Sequence, residues 1–237
     1  MKTFEYSDGQ ETFVGYLSLP AHINDKRPCV LVAHAWDGAN DYFNSLADDM
    51  AAKGYVAFAL DVYGKGKRGQ IDGDNSYLMD PLMNDRSLLR QRLMAAFAVM
   101  KSHHAVDPTK IAILGYCFGG LCALDLARAN PPGLCGAISV HGQLLAPPQA
   151  KVREIGASIL VLHGWEDPIV KPEAIDVFAE EMTEAKADWQ VHCYGHAKHA
   201  FTFVGADIPE LGIKYNAEAH QRSLKSTDEF LKEVFKP

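Results

Sequence analysis

The stretch "IAILGYCFGGLCALDLARA" (residues 111–129) joins an apolar run, a glycine-flanked turn and a helical pattern. The apolar run predicts a buried strand, and the apolar spacing after the turn predicts a helix. Cys117 stands at the apex, with Gly115 two residues before it and Gly119 two residues after it. The apex of so sharp a turn holds a strained backbone, and its neighbours must be small because the helix returns close to the strand. The spacing therefore predicts a nucleophile elbow that carries a thiol in place of a hydroxyl.

Strands and helices alternate on both sides of this elbow. Apolar or β-branched runs predict strands at 29–33, 56–60, 110–114, 137–140, 158–162 and 189–194. Helical apolar spacing lies between or after them, at 43–51, 89–100, 172–185 and 218–235. Such alternation predicts a mostly parallel central sheet with helices on both faces. Residues 2–20 instead read as two strands around "SDGQ", which predicts an antiparallel N-terminal edge.

Length and patterning indicate one α/β domain that covers residues 1–237. The stretch 63–85 lacks periodicity and is rich in Gly, Asp and Lys. Long loops in compact domains are usually functional or mobile, so we expect this stretch to form a rim or lid loop over a site.

The composition excludes several classes of function. The net charge is −7, and the Lys and Arg residues are scattered, so no basic surface for nucleic acid is expected. Neither a signal peptide nor a run of about 20 apolar residues is visible, which predicts a cytoplasmic protein without a membrane partner. Monomer and homodimer both suit a chain of this size, and of the two we expect the homodimer.

The five cysteines, Cys29, Cys117, Cys122, Cys135 and Cys193, show neither CxxC pairs nor His-Cys clusters. Zinc and disulfide frameworks are therefore poorly supported, and we expect the four cysteines other than Cys117 to be buried apolar side chains. The sequence predicts neither a metal nor a cofactor.

A thiol nucleophile needs a histidine base and an acid that orients it, and in sheets with an elbow these follow in the order nucleophile, acid, histidine. The loop after the strand at 158–162 offers Glu166 and Asp167, and the loop after the last strand offers His196 and His199. The order and the strand-end positions fit a catalytic triad. The alternative is that Cys117 is a buried thiol in a tight turn, because free cysteine is often buried.

The sequence resembles the dienelactone hydrolase family of the α/β-hydrolase fold over nearly the whole chain, through "GYCFGG", "HGWEDPIV", "YGHAKHAFT", "DVYG" and "HAWDGAN". The resemblance implies a triad of Cys117, Asp167 and His199. It also implies that the backbone N–H groups of Phe118 and Trp36 form the oxyanion hole and that the Trp36 side chain lines the acyl pocket.

Other polar residues near these positions are expected to have structural roles. Glu166 and His196 would be polar loop neighbours of the triad. The strand-end histidines His34, His141 and His163 are expected to make structural hydrogen bonds.

Two positions depart from the family pattern. Ala35 stands where family members that cleave dienelactone carry a glutamate, and Phe203 stands where they carry a carboxylate-binding arginine. Three arginines, Arg86, Arg90 and Arg92, lie on one helix of alternating charge; anion binding is one interpretation of them, but we expect them to be solvated or paired. We therefore expect a neutral substrate, with Phe203 among the residues that contact it.

These features predict a hydrolase that cleaves neutral esters or lactones through a covalent acyl-enzyme, without a cofactor. Two alternatives in the same fold are hydrolysis of phosphotriesters and acyl transfer, which use the same nucleophile, base and oxyanion hole. A third, of another class, is a non-catalytic scaffold that binds a small ligand in the same pocket.

Overall fold

The computed structural model describes residues 2–70, 73–147 and 154–236. Its centre is an eight-stranded sheet with the order β1-β2-β4-β3-β5-β6-β7-β8. The strands are β1 (Thr3–Ser7), β2 (Thr12–Ser18), β3 (Arg27–Ala33), β4 (Val56–Leu60), β5 (Val106–Tyr116), β6 (Leu134–Val140), β7 (Ser158–Gly164) and β8 (Trp189–Tyr194). Strands β3 to β8 are parallel, whereas β1 and β2 form an antiparallel hairpin that joins the sheet at β4. The mostly parallel sheet and its antiparallel N-terminal edge are as the sequence predicts.

Six helices cover the two faces of this sheet. They are α1 (Asp41–Ala52), α2 (Ser76–Asn84), α3 (Arg86–Lys101), α4 (Phe118–Ala129), α5 (Glu173–Glu184) and α6 (Ala217–Val234). Alternate side chains of β3 enter two separate cores: Leu31 packs with residues of α2 to α5, and Val30 and Val32 pack with residues of α1 and α6. The apolar run of each central strand thus has helices to pack against on both faces, as parallel sheets require. This architecture agrees with the α/β-hydrolase fold that the sequence resemblance implies.

The stretch 63–85 differs from the expected loop because helix α2 occupies Ser76–Asn84. Pro81 lies inside this helix and Leu82 is its buried residue, so neither composition nor apolar spacing signals a helix. Residues 71 and 72 lie outside the described residues. A rim or lid role for the remaining loop stays a prediction.

A small second sheet also follows the last central strand. Strands β9 (Asp207–Ile208) and β10 (Ile213–Lys214) pair antiparallel across a short 3-10 turn at Pro209–Leu211. Two-residue strands are too short to show any periodicity in the sequence. No helix in the described ranges is long and apolar enough to cross a membrane.

Candidate active site

Cys117 occupies the turn between β5 and α4 with a left-handed backbone, φ 53° and ψ −115°. Backbone atoms crowd both flanking glycines. A Cβ on Gly115 would lie 1.8 Å from the carbonyl oxygen of Gly119, and a Cβ on Gly119 would lie 2.2 Å from that of Ala33. Neither position can hold a side chain, so the Gly-x-Cys-x-Gly spacing is a steric requirement of this turn.

Asp167 and His199 complete a hydrogen-bonded chain that ends at the thiol. Asp167 Oδ2 lies 2.7 Å from His199 Nδ1, and His199 Nε2 lies 3.2 Å from Cys117 Sγ. The other carboxylate oxygen, Oδ1, accepts hydrogen bonds from the N–H groups of Ile169 (2.8 Å) and Val170 (3.0 Å). These bonds fix the carboxylate in the loop after β7, and the carboxylate in turn orients the imidazole.

The backbone of His199 is held by the small second sheet. Its N–H donates to the carbonyl of Gly212 (2.9 Å), and its carbonyl accepts from the N–H of Lys214 (3.0 Å). The sequence predicts His199 but not this support, because the segment that supplies it lies more than ten residues further along the chain and carries no catalytic motif.

The electrostatic surroundings favour a protonated His199. Burial alone would lower its pKa, but the negative charge of Cys117 and the hydrogen bonds to Asp167 and Cys117 raise the pKa of His199 to about 10. The raised pKa therefore favours the imidazolium form of His199 at neutral pH. An imidazolium beside a thiolate is the pairing that activates cysteine nucleophiles.

Two backbone N–H groups that follow the ends of β3 and β5 lack an acceptor among the residues described. Phe118 N belongs to the first turn of α4, where amides have no partner within the helix, and Trp36 N lies in the loop after β3. Both follow strand ends at the carboxyl edge of the sheet, where β3 and β5 are neighbours. Their role as donors to an oxyanion stays a prediction.

Glu166, His196 and His34 make the structural polar contacts that the sequence predicts. His196 is exposed and pairs with Glu166 at 2.9 Å, whereas His199 is buried and pairs with Asp167. His34 Nδ1 lies 2.7 Å from the carbonyl of Ala35, and its Nε2 accepts a hydrogen bond from Val62 N (3.2 Å), so its ring links two loops.

The other two strand-end histidines are buried. His141 Nε2 lies 2.8 Å from Thr202 Oγ1, and its ring meets that of His199 edge to face at 5.2 Å. His163 has no hydrogen-bond partner for either ring nitrogen within the described part of the chain. The expected structural hydrogen bond is therefore wrong for His163, whose ring is enclosed at the end of β7.

The arginines of α3 are solvated or paired, as expected. Arg86 makes two hydrogen bonds to the buried carboxylate of Asp125 on α4. Arg92 donates to the carbonyl of Val62 at 2.6 Å, and Arg90 is exposed. These interactions leave the guanidinium groups of Arg86 and Arg92 engaged with the protein.

The expectation for the remaining cysteines is only half correct. Cys29 and Cys122 are buried, but Cys135 is half-buried and Cys193 is exposed. Cys193 lies on β8, an edge strand of the sheet, where one side chain in two faces outward with little cover. In the described ranges, no group of three or more His, Cys, Asp or Glu residues could hold a metal ion.

The residues expected to contact substrate are aromatic or small. Trp36 and Phe203 are both half-buried, and Phe203 packs edge to face on Tyr42 with ring centroids 5.4 Å apart. Ala35 is also half-buried and brings only a methyl group to its position. Their contact with substrate stays a prediction.

Comparison with known proteins gives a consistent family. The model of the dienelactone hydrolase family matches residues 13–235. An uncharacterised protein of Caenorhabditis elegans is 41% identical over 150 residues, which cover 62% of this chain and 94% of that protein. A protein of Bradyrhizobium sp. named "Probable 2-oxo-3-(5-oxofuran-2-ylidene)propanoate lactonase" is 27% identical over 81% of this chain and 79% of its own length.

A solved structure resembles the whole chain. It is described as a dienelactone hydrolase-like promiscuous phosphotriesterase from metagenomic libraries. The two chains are 32% identical, with a TM-score of 0.92 over 99% of this chain and 98% of the other.

Proposed function

Because the chain belongs to the dienelactone hydrolase family and is a hydrolase that acts on ester bonds, we propose that it cleaves neutral esters or lactones through an acyl-enzyme on Cys117. The observation that supports this proposal is the hydrogen-bonded chain from Asp167 through His199 to the elbow thiol. A non-catalytic scaffold would have no need of these linked hydrogen bonds.

In the first half of the proposed reaction, the Cys117 thiolate attacks the carbonyl carbon and a C–S bond forms. The carbonyl oxygen becomes an oxyanion that accepts hydrogen bonds from Phe118 N and Trp36 N. Each such donor stabilises the transition state by about 3 kcal/mol. The intermediate collapses, the C–O bond to the leaving alcohol breaks, and the proton of His199 Nε2 passes to the departing oxygen.

Acylation of the sulfur then changes the state of His199. The negative charge that raises the pKa of His199 is lost once Cys117 carries an acyl group. The histidine has also given up its proton, so neutral Nε2 can accept one from an incoming water. The water adds to the thioester, the thiolate leaves with the electron pair of the C–S bond, and the imidazolium re-forms beside it.

The substrate class follows from Ala35 and Phe203. A carboxylate that enters this pocket would lose water without gaining a bidentate arginine partner, which costs several kcal/mol for an unpaired charge. A neutral acyl group loses nothing comparable and gains aromatic contacts. We therefore place neutral esters and lactones ahead of dienelactone itself.

Phosphotriesters are a second candidate class, supported by the 32% identity to a promiscuous phosphotriesterase. The P=O oxygen would occupy the same oxyanion hole, and attack by Cys117 would expel the aryloxide and leave a thiophosphate ester. Water activated by His199 would then displace the thiolate, which is a better leaving group than the alkoxide of a serine enzyme.

The test is a panel of neutral chromogenic esters, lactones and an aryl phosphotriester with wild-type protein, Cys117→Ala and Cys193→Ala. We expect Cys117→Ala to keep less than about a hundredth of the wild-type kcat/KM, because loss of a nucleophile costs more than misplacement. Cys193→Ala, which removes an exposed thiol, should match the wild type. Equal loss in both variants, or none, would contradict the proposal. A single equivalent of product from the phosphotriester would exclude turnover at phosphorus.

A further inference from the structure

Tyr63, in the loop after β4, contacts both residues that supply the proposed oxyanion donors. Its hydroxyl donates a hydrogen bond to the carbonyl oxygen of Trp36 at 3.0 Å. Its ring stacks on that of Phe118 with centroids 5.8 Å apart and planes 18° from parallel. A single buried side chain, 2% exposed, thus contacts both residues.

The loop after β3 is shaped around this ring. Gly38 has a φ of +89°, and a Cβ on it would lie 3.1 Å from Cδ2 of Tyr63. Gly38 N donates to the carbonyl of Ala35 at 3.2 Å, which closes a turn with Trp36 inside it. The turn therefore lies against the Tyr63 ring at Gly38 and is bound by its hydroxyl at the Trp36 carbonyl.

Tyr63 is itself held rigidly. The buried Asp61 accepts hydrogen bonds from Tyr63 N (2.9 Å) and Gly64 N (3.1 Å) through Oδ1. His34 accepts from Val62 N and reaches the carbonyl of Ala35 with its other nitrogen. The loops after β3 and β4 are thereby tied together behind Tyr63.

The phenol stays a hydrogen-bond donor over the working pH range. Burial, with smaller contributions from nearby thiols and carboxylates, raises the pKa of Tyr63 far above its ordinary value. The proton therefore remains on the hydroxyl and continues to hold the Trp36 carbonyl.

We propose that Tyr63 is a positioning residue for the oxyanion hole. It fixes Trp36 through its hydroxyl and Phe118 through its ring. The inference rests on the proposed function, because it needs Trp36 N and Phe118 N to act as the donors. Preorganised donors stabilise an oxyanion only when they already point at it, so a small displacement of either peptide reduces the rate. Asp61 binds the backbone of Tyr63, whereas Tyr63 contacts Trp36 and Phe118, the residues that carry the two donors.

A matched pair of substrates separates this role from simple loop support. An aryl ester and its thionoester differ only in whether negative charge develops on oxygen or on the larger, weaker acceptor sulfur. In the wild type, the ratio of kcat/KM for the ester to kcat/KM for the thionoester should be larger than a reference ratio. The reference is the ratio of the rate constants with which a small thiol in solution attacks the same two substrates. In Tyr63→Phe, which keeps the ring, kcat/KM for the ester should fall by about tenfold, with a smaller fall for the thionoester. Tyr63→Leu, which also removes the stacking, should reduce the ester preference further.

Tyr6→Phe is the matched control. Tyr6 is buried, and its hydroxyl binds a backbone carbonyl of the same segment, that of Asp61, while its ring packs on Phe13 and Phe58. Tyr6→Phe should keep the wild-type ratio of ester to thionoester, with folding of every variant checked by thermal unfolding. An equal fall for both substrates in Tyr63→Phe would reduce Tyr63 to a structural support and overturn the inference. A wild type with no ester preference beyond the solution ratio would instead contradict the proposed oxyanion hole.

Discussion

At the scale of single residues, the sequence narrowed the triad to two acids and two histidines. The residues themselves could not decide between Glu166 and Asp167 or between His196 and His199; only the family resemblance did. The structure separates them by side-chain direction: the Asp167 side chain is fully buried and that of His199 is 6% exposed, whereas that of His196 is 93% exposed. One residue more or less in a loop reverses such directions, and a single sequence does not carry that information.

Alkylation of Cys117 tests the protonation of this pair. Because the pKa of His199 is raised to about 10, the imidazolium is present below that pH and is lost as the pH rises through it. We expect the wild type to react with iodoacetamide at a nearly constant rate from pH 6 to 9, a range that spans the ordinary thiol value of about 8.5. In His199→Ala the rate should climb with pH like that of an ordinary thiol.

The exposed Cys193 would also react and must first be removed, so both proteins are compared in a Cys193→Ala background. An ordinary thiol profile in both proteins would rule out a resting thiolate–imidazolium pair.

At the scale of elements, the apolar runs predict all six parallel strands and five of the six helices. Each of these elements packs one or two complete faces into a core, so the spacing of its apolar residues reports its structure. The apolar spacing does not predict helix α2 or the hairpin of β9 and β10. Helix α2 contains Pro81, and the hairpin strands, with two residues each, are held by pairing with each other and with the His199 backbone.

The elbow glycines give a stability prediction at this scale. Gly119→Ala should lower the free energy of unfolding by about 2 kcal/mol or more, because its Cβ meets backbone atoms that cannot move aside. Gly195→Ala is the matched control in a nearby loop, where a Cβ would have no atom within 4 Å. It should change the stability by less than about 0.5 kcal/mol. Urea denaturation measures both, and equal stabilities would contradict the steric account of the elbow.

At the scale of the whole molecule, the site gathers side chains from the carboxyl ends of separate parallel strands. Trp36, Tyr63, Cys117, Asp167 and His199 follow β3, β4, β5, β7 and β8 in turn. In parallel sheets these ends share one edge, which is why residues far apart in sequence meet there. The sequence predicts the edge on which the site lies, but not the contacts between loops, such as that of Tyr63 with Trp36.

The net charge of −7 adds a prediction about substrates. For matched aryl esters that differ only in a terminal carboxylate, kcat/KM should favour the neutral one by at least about tenfold, because the anion is both desolvated and repelled. Added salt screens the long-range repulsion, so it should raise kcat/KM for the anionic ester and leave the neutral one nearly unchanged. A preference for the anionic ester at low salt would contradict the neutral pocket.

Trapping the acyl-enzyme is a direct test of covalent catalysis by Cys117. Wild-type protein is mixed with a neutral aryl ester of a bulky acid, whose acyl group is released slowly, and is quenched in acid within the first turnover. Intact mass and peptide mapping should show one acyl group per chain, on the peptide that carries Cys117, with none on Cys117→Ala. Turnover without any adduct, or an acyl group on another residue that persists in Cys117→Ala, would contradict covalent catalysis by Cys117.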